Sequence, residues 1–136
     1  MKPVFADTSY YVAMLGRNDA HHERAVDWSQ RLLGRVLVTE YVLVELGSAL
    51  SGPADRHLYV PFVEALLKDP GTIFVSASER LFREGLAWFA ARPDKEWSLV
   101  DCISFVVMKQ RRLQEALTTD RHFVQAGFRA LLRQEN

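Results

Sequence analysis

Apolar residues along this chain fall into short continuous runs separated by longer stretches with helical periodicity. Val4-Phe5-Ala6 is the first run, ended by Asp7-Thr8-Ser9, polar residues that favour helix starts. Val36-Leu37-Val38, Thr72-Ile73-Phe74-Val75 and Ala116-Leu117-Thr118 repeat it, and 128–132 reads as a last, edge strand. Between the runs the spacing predicts a helix over 10–15, closed by Gly16. A second covers 20–33, capped by Asp19 and ended by Gly34, with Ala25, Val26, Leu32 and Leu33 turned to the core. A third covers 40–50, capped by Thr39 and broken by Ser51-Gly52-Pro53, and a fourth 55–67, stopped by Asp69-Pro70-Gly71. The stretch 78–91 is amphipathic, with Leu81, Phe82, Leu86, Phe89 and Ala90 on one face; 98–111 is the most apolar helix, and Asp120 starts a short one through 126.

Strands that are short apolar runs alternating with helices predict an α/β fold: a mainly parallel sheet with helices on both faces, three layers in α/β/α order. The 136 residues fit one domain over 1–136, and no repeat, linker or low-complexity segment interrupts them. With 49% hydrophobic and 25% charged residues the composition is that of an ordinary globular chain. Lys plus Arg and Asp plus Glu number 17 each, so net charge points to no polyanionic partner and any nucleic-acid contact must be local. A single cysteine, Cys102, excludes an internal disulfide and a multi-cysteine zinc site, and its apolar helix makes it a packing residue. Asp7 cuts short the apolar start that a signal peptide needs, and no apolar stretch approaches a membrane span, so the expectation is a soluble cytoplasmic protein.

The chemistry lies in four acids. In open parallel sheets, ligands bind beyond the carboxyl ends of the strands. Asp7 directly follows strand one, Asp120 follows strand four, Glu45 stands in the helix after strand two, and Asp101 falls in the first turn of its helix. If those helices start at one sheet edge, the four carboxylates converge there. Two carboxylates about 4 Å apart repel by about 4 kcal/mol at an effective dielectric of about 20, so such a cluster implies a compensating cation. An oxygen donor set suits Mg²⁺ or Mn²⁺, the metals of phosphodiester hydrolysis. Each acid also has a plainer role. Asp7 and Asp120 can cap helices, Ser98-Leu99-Val100-Asp101 matches a capping box, and Glu45, alone in Tyr41-Val42-Leu43-Val44-Glu45-Leu46, can face solvent.

Phe5-Ala6-Asp7-Thr8-Ser9 resembles the N-terminal strand and acid of PIN domains, and Val44-Glu45-Leu46 with Ala49-Leu50 their glutamate helix. Ser98-Leu99-Val100-Asp101-Cys102-Ile103-Ser104 and Leu117-Thr118-Thr119-Asp120-Arg121-His122-Phe123 resemble the third and fourth motifs. The resemblance spans almost the whole chain, in order, and is to the VapC toxin type. It implies a metal-dependent endoribonuclease, the toxin of a toxin–antitoxin pair, using Mg²⁺ or Mn²⁺ held by Asp7, Glu45, Asp101 and Asp120. Thr8, Ser98 and Thr118 carry over as polar neighbours that orient a carboxylate or water. It further implies an RNA substrate, a small antitoxin partner and a homodimer, with Tyr10, Tyr11 and Met14 as candidate contact residues if exposed, core packing being the alternative. A housekeeping RNA-processing nuclease and a non-catalytic interaction module are the alternatives; the module should have lost some of its acids.

Other features count for less. An aspartate-nucleophile phosphatase wants an acid where Ser9 stands, and a phosphorelay receiver wants a second acid at Thr8 and a late lysine. His21 and His22 are neighbours that point to different sides of a helix and make no metal motif. His122 lies near the acids and can meet a phosphate, or simply pack. Lys109, Arg111, Arg112, Arg121, Arg129 and Arg133 make the C-terminal third basic, either as a guide for RNA or as a solvated face.

Overall fold

The structure, a computed structural model, describes residues 2–32 and 35–133. Its five strands are β1 (Val4–Ala6), β2 (Val36–Thr39), β3 (Thr72–Val75), β4 (Glu115–Leu117) and β5 (Arg129–Ala130). They form one sheet in the order β3-β2-β1-β4-β5, every pairing parallel. The helices are α1 (Thr8–Leu15), α2 (His22–Arg31), α3 (Glu40–Ala49), α4 (Arg56–Lys68), α5 (Glu79–Ala91), α6 (Leu99–Gln110) and α7 (Arg121–Gln125). Neighbouring strand residues point to opposite faces, yet Phe5 and Ala6, Leu37 and Val38, and Ala116 and Leu117 are all fully buried. Helices therefore cover both faces, which is why these strands read as continuous apolar runs.

The chain builds outward from β1 on one side through β2 and β3, then returns to place β4 and β5 on the other. The gap between β1 and β4 at their carboxyl ends is thus the topological switch point, where such sheets bind ligands. Under it, Phe5, Phe105, Phe123 and Phe128 pack ring to ring, with Trp97 edge-on and Trp88 tilted against Phe105. Two helix ends near this core close with the same backbone pattern. Phe128 N–H reaches the Phe123 carbonyl at 2.9 Å past Gly127, whose φ of 97° suits glycine, and Leu113 N–H reaches Met108 at 2.9 Å past Arg112.

Three sequence expectations are corrected. Tyr10 and Tyr11, candidate contact residues if exposed, are 4% and 1% exposed, and Met14 packs partly buried against the core. Helix α1 directly follows a central strand and is sandwiched against α2 and α3, so its rings turn inward. On α5 most of the predicted apolar face is open rather than packed on the core: Phe82, Leu86 and Phe89 are 43%, 41% and 51% exposed, Ala90 is exposed too, and of that face Leu81 alone turns inward. The inward residues are Leu81, Gly85 and Trp88, because Gly85 lets the α6 backbone come close, with Ile103 filling the place of a side chain. Asp19 does not cap α2; its Oδ1 accepts the His21 amide at 2.8 Å in the turn before that helix. Leu33 and Gly34 lie outside the described residues.

A Cβ on Gly85 would stand 2.3 Å from Ile103 Cγ1, deep in the α5–α6 contact. Gly85→Ala should therefore destabilise the protein by about 1–3 kcal/mol, the cost of overpacking, although alanine gains about 1 kcal/mol in helix propensity. Urea denaturation checks the sign; a variant as stable as wild type would mean that α5 and α6 lie farther apart.

Candidate active site

Because β1 and β4 run parallel side by side, the residues after them emerge at the same edge. Asp7 follows β1, is 5% exposed, and occupies the N-cap position of α1 without capping it. Its Oδ2 instead accepts from Ser9 Oγ at 2.9 Å and from Thr118 Oγ1 at 2.8 Å. Thr118 Oγ1 in turn accepts the Asp120 amide, and Ser9 Oγ the Thr119 amide, both at 3.0 Å. Two hydroxyls thus tie the ends of β1 and β4 together and orient one carboxylate.

Asp120 caps α7 by accepting the His122 amide at 2.9 Å. Asp101 makes the full capping box with Ser98: Asp101 N–H to Ser98 Oγ at 3.0 Å and Ser98 N–H to Asp101 Oδ2 at 3.1 Å. It is 7% exposed all the same, facing the edge where Asp7 and Asp120 stand. His122 bridges the pair, its Nδ1 3.0 Å from Asp101 Oδ2 and 3.3 Å from Asp120 Oδ1. Glu45 comes from α3 and accepts from Thr8 Oγ1. All four acids line one open cleft of about 410 Å³, with Thr8, Ser9, Ser98 and His122 among its walls.

The four are not equally close. Donor atoms of Asp101, Asp120 and His122 lie within 4.8 Å of one another, and Asp7 and Glu45 line the same cleft outside that group. Burial pushes the Asp7 carboxyl up to about 6, against its hydroxyl partners and with help from the Asp101 charge. Burial also raises Asp101, as does the Asp120 charge. A cation beside these carboxylates would offset both their burial and their mutual repulsion. Two carboxylates and an imidazole at this spacing are a donor set that a divalent cation fits. Cys102 is buried in α6 and adds no ligand here, as its packing role predicted.

Thr8, Ser98 and Thr118, expected as polar neighbours, each bond a different acid of the cleft. Two residues were undervalued in the sequence. Ser9 looked like part of a helix start, and His122 like a packing residue as readily as a site residue. The one available signal was spacing: each lies two residues past a cleft acid, at a strand-to-helix turn that bends it back toward that acid.

Thr118→Val should remove a donor from Asp7 and an acceptor from the Asp120 amide. One hydrogen bond is worth about 0.5–1.5 kcal/mol, so the Asp7 titration should rise by up to about one pH unit. Carboxylate-resolved NMR of the metal-free protein checks this, with Thr118→Ser restoring the wild-type value. An unmoved titration would mean that Thr118 does not hold Asp7.

The sequence matches the PIN domain family over residues 4–129. It is 26% identical over 125 residues to the 23S rRNA-specific endonuclease VapC20 of Mycobacterium tuberculosis, covering 92% of this chain and 95% of that protein. The crystal structure of that protein, described as a Sarcin-Ricin loop cleaving toxin, superposes with a TM-score of 0.85 over the same shares of the two chains. FitAcB from Neisseria gonorrhoeae superposes at 0.64 with 18% identity, covering 93% of this chain and 94% of that one, a likeness of fold.

Proposed function

Because the chain belongs to the PIN domain family, we propose that it is a divalent-metal-dependent endoribonuclease, the toxin of a toxin–antitoxin pair. The observation that carries the proposal is the carboxylate of Asp7, buried and pushed up to about 6, in one cleft with Asp101, Asp120 and His122. In this reading Asp101 and Asp120 would hold Mg²⁺ or Mn²⁺, with His122 beside them and Asp7 and Glu45 as further donors in the cleft, and the cation would polarise the phosphoryl oxygen and lower the pKa of an attacking water. Ser9 and Thr118 keep Asp7 aimed, Thr8 steadies Glu45, and the Ser98 box fixes Asp101 at the head of α6.

The relative's name makes ribosomal RNA the first substrate to try. A homodimer and an antitoxin partner belong to the same reading; Tyr10 and Tyr11 are buried, and Phe82, Leu86 and Phe89 on α5 are among the apolar residues open to such contacts. Among the described residues no helix is long and apolar enough to cross a membrane. A non-catalytic module has less support, since all four acids are present in one cleft. Purified protein, freed of any co-purifying partner, should cut RNA at discrete sites, and Asp120→Asn made the same way should not. Equal cleavage by both would place the activity in a contaminant or elsewhere on the chain.

A further inference from the structure

The cleft is a poor place to attract RNA. Asp7, Asp19, Glu45, Glu96, Asp101 and Asp120 all line it, so a polyanion is repelled unless cations stand close by. One cationic place adjoins it. A second cavity of about 520 Å³ shares His21 and Thr119 with the cleft and is otherwise lined by Ala20, Glu23, Arg24 and Arg133. Arg133 is tethered beside the site: its Nη1 donates at 3.0 Å to the carbonyl of Thr119, the residue before Asp120. Arg24 reaches the cavity from the first turn of α2, and its Nε is buried with no hydrogen-bond partner. No ion pair engages either guanidinium among the described residues, whereas Arg121 is spent on Glu96 at 3.7 Å. Two arginines from opposite ends of the chain line this one cavity, and guanidinium forks are suited to phosphate.

We propose that the cavity between Arg24 and Arg133 holds a backbone phosphate of the RNA flanking the bond presented to the acids. The inference rests on the ribonuclease reading and adds to it the two positioning residues that seat the strand. Glu23, on the same wall, opposes the phosphate and moderates its hold.

The test is equilibrium binding of a labelled single-stranded RNA at several salt concentrations in Mg²⁺, in the Asp120→Asn background so that nothing is cut. Arg24→Gln and Arg133→Gln should each weaken binding several-fold. Each should also lower the slope of log K against log salt by about 0.7, the share of one single-strand phosphate. Glu23→Gln should tighten binding, and Arg83→Gln on α5, remote from the cavity, should change nothing. Arg133 is exposed, so Arg133→Gln carries the test if Arg24→Gln fails to fold. Folded arginine variants with the wild-type slope overturn the proposal, as does absence of RNA binding. Reduced slopes in a protein whose wild type cuts no RNA would leave the subsite standing and remove the nuclease reading instead.

Discussion

Asp101→Asn should lose RNA cleavage by at least about 100-fold, the scale on which removal of one group stabilising transition-state charge is felt, while leaving the metal-free protein as stable as wild type or more so. Asparagine keeps an oxygen for the Ser98 amide, so the capping box at the head of α6 survives in the main. What disappears is a charge that burial and Asp120 already penalise. The stabilisation that Mg²⁺ confers depends on its concentration relative to Kd, so the upward shift in Tm on adding metal should shrink in the variant. A residue that only caps would behave the opposite way, losing about 1 kcal/mol of stability and keeping its activity. Melting curves with and without Mg²⁺, alongside cleavage rates, separate the two; near-normal cleavage would remove Asp101 from the catalytic set.

Asp7→Asn should give the larger gain in metal-free stability. The folded protein holds the Asp7 proton up to about 6, against 3.8 for a free carboxyl. Ionising it in the fold therefore costs about 3 kcal/mol relative to the unfolded chain, at about 1.4 kcal/mol per pH unit. The sign follows from linkage: this residue's favourable contribution is complete below about 4 and is lost as pH rises through about 6. Asparagine offers the same oxygen to Ser9 and Thr118 without the charge. At pH 8 the metal-free variant should be about 2–3 kcal/mol more stable than wild type, with the advantage vanishing as pH falls toward 4. Cleavage should collapse at every pH. In wild type, acid should cost activity through lost metal affinity, because a proton on Asp7 competes with the cation, and raising Mg²⁺ should move that loss to lower pH. Denaturant unfolding in chelator at pH 8 and pH 4 measures the difference; equal stabilities at pH 8 would mean that the Asp7 carboxylate is better solvated than its burial indicates.

The centre of the sheet was legible because β1, β2 and β4 fall on short apolar runs, the pattern of parallel strands covered on both faces. β3 falls on the expected residues, and β1, β2 and β4 agree to within a residue at either end. The meeting of Asp7 with Asp120 followed from that, since parallel neighbours deliver their carboxyl ends to one edge. Glu45 was legible as a lone charge in an apolar stretch, and the Thr8 bond explains how it is tolerated. Less could be read where two elements had to be packed first. The α5 stripe is apolar enough to bury, and only the approach of Ile103 to Gly85 decides which face turns inward. His122 became a cleft residue because the turn after Asp120 folds its ring between two carboxylates, a contact set by geometry across 21 residues of chain.

The measurement that tests the central claim most directly is single-turnover cleavage of RNA by partner-free protein, stripped with chelator and then given back Mn²⁺ or Mg²⁺. The acid cleft predicts no cleavage in chelator and full recovery on adding metal, with neither Asp101→Asn nor Asp7→Asn recovering. Cleavage that persists through thorough chelation at the wild-type rate would contradict a metal site at Asp7, Asp101 and Asp120.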